Sequence, residues 1–148
     1  NYTLDANLVS NFFLMHHVAP LMKAQGSGYI LNVPSYFGGE KYLAVAYPNR
    51  ADYAVSKAGQ RAMVESMARY LGPEVQFNAI APGPIPTENF IDSMKMHTPE
   101  REEELRRVMA LPLQRWGTAE DIGAAVVYLA APASSWITGQ VLYVTGGA

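Results

Sequence analysis

The chain has 148 residues, about the size of one domain, and 49% of them are apolar, which is enough to bury a sizeable core. Its formal net charge is −2, so we expect no bulk electrostatic attraction to nucleic acid or to an anionic membrane. It contains no cysteine, which excludes disulfides and cysteine-ligated metals and favours a cytoplasmic enzyme. No apolar run approaches the roughly 20 residues that cross a bilayer.

The first half of the chain predicts a helix, a strand and a second helix. Apolar residues recur with helical period over residues 4–22, and the turn at residues 25–28 ends this pattern. Residues 29–33 form a short apolar run between Gly28 and Pro34, which is typical of a strand buried on both faces. An irregular segment leads to a long helical pattern over residues 51–71.

The second half continues the alternation. Residues 75–81 predict another buried strand, which the prolines of residues 82–86 end because they cannot continue the ladder. Residues 87–109 predict two short helices, with Pro99 in the first turn of the second. A helix over residues 119–131 with Thr118 as its cap and a strand over residues 141–144 follow. This order indicates an α/β fold with a parallel sheet and crossover helices.

Tyr53 and Lys57 are four residues apart on the predicted second helix, so their side chains leave the same face. A phenol beside an ammonium group is a tunable acid, because a nearby positive charge favours the phenolate. Such pairs are common on helix surfaces, and the pair by itself proves little. Ser35 and the loop of residues 82–87 follow two predicted strands, and ligands of parallel sheets bind outside the carboxyl ends of the strands. Together these groups could converge on a small carbonyl substrate and a cofactor.

Several ordered motifs carry a family resemblance. Asn7, Ser35, Tyr53 and Lys57, followed by NAIAPGPIPTENF, resemble the catalytic tetrad and cofactor loop of the short-chain dehydrogenase/reductase family. The ending PLQRWGTAEDIGAAVVYLAAPASSWITGQVLYVTGG is similar to that of its 3-oxoacyl-[acyl-carrier-protein] reductase-like members. The resemblance covers the chain but only the second half of the family. It implies the C-terminal half of a doubly wound, Rossmann-type parallel-sheet domain, with the first strands missing and residues 1–148 forming one incomplete NAD(P)-binding domain.

The resemblance implies a role for each site residue. Tyr53 would be the general acid in carbonyl reduction and the base in the reverse direction, with Lys57 tuning it and holding the nicotinamide ribose. Ser35 would hydrogen-bond the substrate carbonyl, and Asn7 would hold a water that links Lys57 to solvent. The expected contacts to NADP or NAD come from Tyr53, Lys57, Pro82, Gly83, Ile85 and Thr87. Two simpler interpretations stay open, namely Asn7 as a helix surface residue and Thr87 as a helix cap.

The substrate is suggested by two departures from the family pattern. Pro34 stands where the family usually has a serine, and Tyr53 follows Ser35 by 18 positions, a longer interval than is common. Residues 35–84 are similar to the first reductase module of bifunctional malonyl-CoA reductases. This implies reduction of malonate semialdehyde to 3-hydroxypropionate, with NADPH favoured over NADH and with Arg50 or Lys41 meeting the substrate carboxylate.

Other interpretations remain. The protein could be a 3-oxoacyl-[acyl-carrier-protein] reductase-like enzyme, or a non-catalytic fragment that serves only subunit assembly. The helices of residues 4–22 and 51–71 form the main subunit interface in the family, which implies a homodimer or homotetramer at full length. We expect no metal site, because the adjacent His16 and His17 point in different directions. Trp116 and Trp136 are interpreted as packing residues.

The glycine-rich fingerprint that receives the cofactor pyrophosphate in this family is not found in residues 1–148. We therefore expect these residues by themselves neither to bind nucleotide tightly nor to turn over substrate. Titration of the purified 148-residue chain with NADPH, beside the full-length protein as control, measures this. Micromolar binding by the shorter chain would contradict the expectation.

Overall fold

A computed structural model describes residues 1–37 and 50–148 and confirms the alternation of helices and parallel strands. No helix in these two stretches has the length and apolar character needed to cross a membrane. In chain order the elements are α1 (α-helical over Tyr2–Leu4, π-helical over Asp5–Val9 and α-helical again over Ser10–Gln25), β1 (Gly28–Asn32), α2 (Ala51–Leu71), β2 (Val75–Pro82), α3 (Glu88–Met94), α4 (Pro99–Met109), α5 (Ala119–Ala130), a 3-10 turn (Pro132–Ser134) and β3 (Val141–Val144).

The three strands form one parallel sheet in the order β1, β2, β3. The pairing of β1 with β2 runs from Gly28 opposite Val75 to Asn32 opposite Ala79. Within the described residues β1 and β3 are the edges of the sheet and β2 is its centre. Because parallel strands end at the same edge, the segments that follow β1 and β2 lie side by side.

Burial differs between the strands. β2 was expected to be buried on both faces, and Phe77, Ala79 and Ile80 are fully buried in it. The same expectation for β1 is wrong in this chain, since its side chains up to Leu31 are only partly buried and only Asn32 is buried. The physical reason is position, because an edge strand has a neighbour on one side only.

The core lies between the sheet and the two long helices. Met15 and Ala19 of α1 and Val64 and Leu71 of α2 belong to the same cluster of buried side chains as Phe77 of β2. The helices therefore cover one face of the sheet with apolar residues spaced at helical period. This packing fixes where the first turn of α2 lies relative to the strand ends.

Threonine caps begin the three shorter helices. Thr87, Thr98 and Thr118 each accept a backbone hydrogen bond at the start of α3, α4 and α5. Pro99 lies in the first turn of α4 as predicted, and Asp121 completes a capping box with Thr118. Each cap satisfies a backbone donor that has no partner within its helix.

Asn78 joins the centre of the sheet to the segment before β3. Its side chain is fully buried, its Nδ2 donates to the carbonyl of Ile137 at 2.7 Å, and its Oδ1 accepts from the backbone of Gln140 at 3.0 Å. A buried amide with both ends bonded holds these segments in one register. The nearby Trp136 is 99% exposed, so its interpretation as a packing residue is wrong within this chain, since the turn that carries it runs over the surface.

A close backbone approach follows β2. The amide of Gly83 donates to the carbonyl of Val144 at 2.8 Å, and a Cβ added at Gly83 would lie 2.6 Å from the Cα of Thr145. The backbone of Thr145 cannot move aside as the end of a flexible side chain can. Gly123, in the exposed middle of α5, is the opposite case, because an added Cβ there meets no atom within 4 Å.

We predict opposite effects for alanine at these two glycines. Gly83→Ala should lower the free energy of unfolding by about 1–3 kcal/mol through the clash with Thr145. Gly123→Ala should raise it by about 0.5–1 kcal/mol through improved helix propensity. Urea unfolding of both variants beside the parent protein tests this. Equal effects of the two substitutions would show that the approach of Gly83 to Thr145 is not restrictive.

Candidate active site

A cavity of about 280 Å³ opens at the carboxyl edge of the sheet. Ser35 reaches it from the segment after β1, and the amide of Tyr36 next to it donates to the carbonyl of Pro82 at 3.2 Å. This bond continues the contact between β1 and β2 beyond the strands themselves. The side chains and backbone that line the cavity are those of Pro34, Ser35, Phe37, Arg50, Tyr53, Pro82, Gly83, Ile85, Thr87, Asn89, Phe90 and Ser93.

The structure brings two of the four expected catalytic residues into the cavity wall. Ser35 is buried with 6% of its surface exposed, and its Oγ accepts a hydrogen bond from the backbone of Phe37 at 3.2 Å. Tyr53 lies in the first turn of α2 and is half-buried. A hydroxyl and a phenol that face one cavity can both hydrogen-bond the oxygen of a small ligand.

Lys57 lies one turn after Tyr53, on the same side of α2. Its Nζ is 5.7 Å from the centroid of the Tyr53 ring and donates to the carbonyl of Val33 at 3.1 Å. Burial of the stem and ammonium group lowers the pKa of Lys57 from its usual value. The carbonyl of Val33 holds the ammonium group near the ring, so the charge is placed by a backbone atom directly after β1.

Asn7 does not line the cavity, but it is joined to the helix that carries Tyr53. Its Nδ2 donates to Oγ of Ser56 at 3.2 Å, and this Oγ donates to the carbonyl of Tyr53 at 2.7 Å. The carbonyl of Asn7 accepts from Asn11 Nδ2 at 2.7 Å and from Gln60 Nε2. Asn7 lies in the π-helical turn of α1, a local widening that often marks functional positions. Its role in holding a water stays a prediction.

Backbone hydrogen bonds join the loop after β2 to two other segments and close a turn within it. Gly83 bonds Val144, the carbonyl of Pro84 accepts from the amide of Gly117 at 3.1 Å, and the amide of Thr87 donates to the carbonyl of Ile85 at 2.8 Å. The Thr87 hydroxyl accepts from the backbone of Phe90, which confirms the interpretation of Thr87 as a helix cap. The same residue also lines the cavity, so capping and a ligand contact are compatible.

The donor set fits the nicotinamide end of a dinucleotide. Tyr53, Ile85 and Thr87 line the cavity, Ile85 and Thr87 belong to a loop held by backbone bonds, and the ammonium of Lys57 lies 5.7 Å from the centroid of the Tyr53 ring. Ribose hydroxyls and a planar amide need such donors and acceptors at short range. Among the described residues, no cluster of three or more metal-ligating His, Asp or Glu side chains is present.

Sequence reasoning missed part of the cavity wall. Asn89, Phe90 and Ser93 line the cavity from α3, and Phe37 lines it after Ser35. α3 begins directly after the predicted ligand loop, and helical spacing puts these three residues on one side of it. This pattern could have identified them from the sequence. Arg50, named from the sequence, does line the cavity, and Lys41 lies outside the described residues.

Comparison with known proteins gives a consistent result along the whole chain. A family model described as enoyl-(acyl carrier protein) reductase matches residues 1–148. The 7α-hydroxysteroid dehydrogenase of Escherichia coli K12 is 38% identical over 97% of this chain and 52% of that protein. The 3-oxoacyl-[acyl-carrier-protein] reductase of Thermotoga maritima is 35% identical over 97% of this chain and 54% of that protein. The chain thus spans about half the length of these curated relatives.

Solved structures agree in fold. A 7α-hydroxysteroid dehydrogenase in complex with NADH and 7-oxo glycochenodeoxycholic acid superposes with a TM-score of 0.79 at 37% identity, covering 95% of this chain and 52% of that chain. The C-domain of a bacterial malonyl-CoA reductase with NADP is 93% identical over 59% of this chain and 13% of that chain, with a TM-score of 0.52. The chain, with its parallel Rossmann-type sheet and its match over residues 1–148, belongs to the short-chain dehydrogenase/reductase family.

Proposed function

We propose that the protein containing this chain is an NAD(P)-dependent reductase of a small carbonyl compound, and that residues 1–148 are the catalytic half of its cofactor-binding domain. The observation that carries the proposal is the convergence of Ser35, Tyr53 and the loop after β2 on one cavity. Hydroxyl donors at the reacting oxygen and a rigid loop beside them are what carbonyl reduction needs from a protein. The same arrangement serves alcohol oxidation in the reverse direction.

The proposed mechanism assigns one task to each side chain. The bound nicotinamide supplies the hydride that the carbonyl carbon accepts. Ser35 hydrogen-bonds the carbonyl oxygen and stabilises the negative charge that develops on it. Tyr53 donates its phenolic proton to that oxygen, which completes the alcohol. Lys57 favours the phenolate that remains and would hold the ribose hydroxyls of the cofactor, and the link from Asn7 through Ser56 supports the backbone of Tyr53.

Removal of the phenolic hydroxyl tests the mechanism. Tyr53→Phe in the full-length protein should lower kcat by about 100-fold to 10,000-fold, because the general acid is lost while the ring is kept. The matched control is Tyr70→Phe on the same helix, where the side chain is 73% exposed. Steady-state NADPH oxidation and thermal unfolding are measured for both variants. A Tyr53→Phe enzyme with more than a tenth of the parental kcat contradicts the assignment.

We further propose that the substrate carries a carboxylate, as malonate semialdehyde does. Arg50 supports this proposal, because it lines the same cavity as Ser35 and Tyr53. A carboxylate in a partly buried site is stabilised by a charged donor, and arginine can bind it through two parallel hydrogen bonds. The similarity to a malonyl-CoA reductase points the same way, since a malonyl group places a carboxylate one methylene from the reducible carbonyl.

Removal of the charge of Arg50 should raise KM for acidic substrates and leave KM for neutral substrates unchanged. Arg50→Ala should raise KM for malonate semialdehyde by about 10-fold to 100-fold, the value of one charged hydrogen-bonded contact, and leave KM for propanal unchanged. Arg69→Ala at the exposed far end of α2 is the control, and Arg50→Lys should recover part of the affinity. Equal effects on both aldehydes, or unchanged affinity in an Arg50→Ala, Lys41→Ala double variant, would refute the carboxylate contact.

NADPH is the cofactor we propose, with NADH as the alternative. The malonyl-CoA reductase domain, at 93% identity over its aligned part, is described with NADP, whereas the 7α-hydroxysteroid dehydrogenase is described with NADH. Neither selects the cofactor for this protein, because the residues that distinguish the two ribose groups in this fold follow an earlier strand. We propose the cytoplasm as the location, from the cysteine-free sequence.

A second candidate function is reduction of 3-oxoacyl groups on a carrier protein, supported by the similarity to the Thermotoga maritima enzyme. Subunit assembly is a third candidate function, and it is compatible with catalysis. Phe12, Phe13, Leu14 and Leu21 on α1 are each more than half exposed, as expected of a subunit interface in a homodimer or homotetramer. A purely structural protein would still assemble but would have no reductase activity, so Tyr53→Phe would change no reductase rate.

A further inference from the structure

Trp116, in the segment before α5, contacts both helices that follow the loop after β2. Its Nε1 donates to Oε1 of Glu102 in α4 at 2.9 Å, and its ring meets the ring of Phe90 in α3 edge to face at 6.1 Å between centroids. The guanidinium of Arg106, also in α4, lies 5.9 Å from the centroid of the indole. Contacts of these three kinds are directional, so they fix orientation as well as distance.

Of the two helices that Trp116 contacts, α3 forms part of the cavity wall. Phe90 touches the indole and also lines the cavity, together with Asn89 and Ser93 of the same helix. α4 is tied to the end of α3 by a hydrogen bond from Arg101 Nε to the carbonyl of Met94 at 3.2 Å. A shift of the indole would therefore be passed to the wall both directly, through Phe90, and through α4.

The backbone around Trp116 is anchored to the rest of the site. Arg115 forms a bidentate ion pair with Asp121 at the start of α5, at 2.6 and 2.8 Å, and donates to the carbonyl of Trp116 at 3.0 Å. The guanidinium holds the pKa of the Asp121 carboxyl well below its usual range. On the other side of Trp116, the amide of Gly117 donates to the carbonyl of Pro84 in the loop after β2. The indole thus projects from a segment with two fixed ends.

We propose that Trp116 is a positioning residue that sets the distance of the α3 wall from Tyr53 and thereby limits the size of carbonyl compound that the cavity accepts. The part of this proposal that concerns substrate size rests on the proposed reductase function, whereas the part that concerns the position of α3 does not. Trp116 touches no reacting atom and acts through Phe90. The competing view is that the indole only adds packing stability, in which case its loss would weaken the fold and leave the wall in place.

The experiment compares Trp116→Phe and Trp116→Ala in the full-length protein, with Trp136→Phe as the matched control because Trp136 is almost wholly exposed. Hydrogen exchange of the backbone amides in residues 88–94 reads the wall without any need for catalysis. We expect exchange there to accelerate about tenfold in Trp116→Ala and less in Trp116→Phe, with α2 unaffected, because only the wall loses its contacts.

The second measurement is discrimination by size. Malonate semialdehyde and 4-carboxybenzaldehyde both carry an aldehyde and a carboxylate and differ in bulk. The ratio of their kcat/KM values should shift toward the larger compound by about tenfold in Trp116→Ala, with the parental ratio kept in Trp136→Phe. Unchanged exchange in residues 88–94 overturns the proposal, as does a lower unfolding temperature with an unchanged ratio. If the parent enzyme reduces neither aldehyde, the proposed substrate class fails, and the exchange data still decide the positioning role.

Discussion

The parallel pairing of β1 with β2 is the constraint on which the remaining structure depends. It aligns Asn32 with Ala79, so both strands end at one edge of the sheet, and the bond between Tyr36 and Pro82 extends the alignment past the strand ends. Ser35 and the loop after β2 are neighbours for this reason alone, although they are far apart in the sequence. A shift of the register by one residue would turn each side chain of β2 to the other face and take Phe77 away from the cluster that it forms with α1 and α2. The buried core therefore protects the geometry of the site.

The helix α2 adds the chemistry to this edge. Its inner face packs through Val64 and Leu71 in the core, which leaves its first turn over the strand ends and carries Tyr53 into the cavity wall. Lys57 could not be placed by helix packing alone, since its stem is flexible. The carbonyl of Val33 directly after β1 completes its placement by accepting the ammonium hydrogen bond. Sheet and helix thus jointly orient Tyr53 and Lys57, and neither element would do so alone.

The wall formed by α3 depends on a different kind of interaction. α3 and α4 contribute only a few buried side chains, among them Met94 and Leu105, and both helices make directional contacts with Trp116. Hydrogen bonds and ring contacts of this kind stabilise less than a packed core does, so this wall is the part of the site that substitutions can move most easily. The wall that contains Tyr53 is therefore held by the core, whereas the wall formed by α3 is the more adjustable one.

The sequence by itself determined the order and type of the elements and the parallel sheet, because helical period and proline and glycine breaks are local signals. Its ordered motifs also predicted Ser35, Tyr53 and Lys57 as site residues. It also predicted Thr87 as a cap, which requires only the next few residues. Tertiary structure alone decided that Asn89, Phe90 and Ser93 line the cavity, that Asn7 reaches Tyr53 through Ser56, and that Trp116 is a contact between elements whereas Trp136 is exposed. These facts depend on which elements meet in space, and no local pattern records a contact between residues that the chain brings together only on folding.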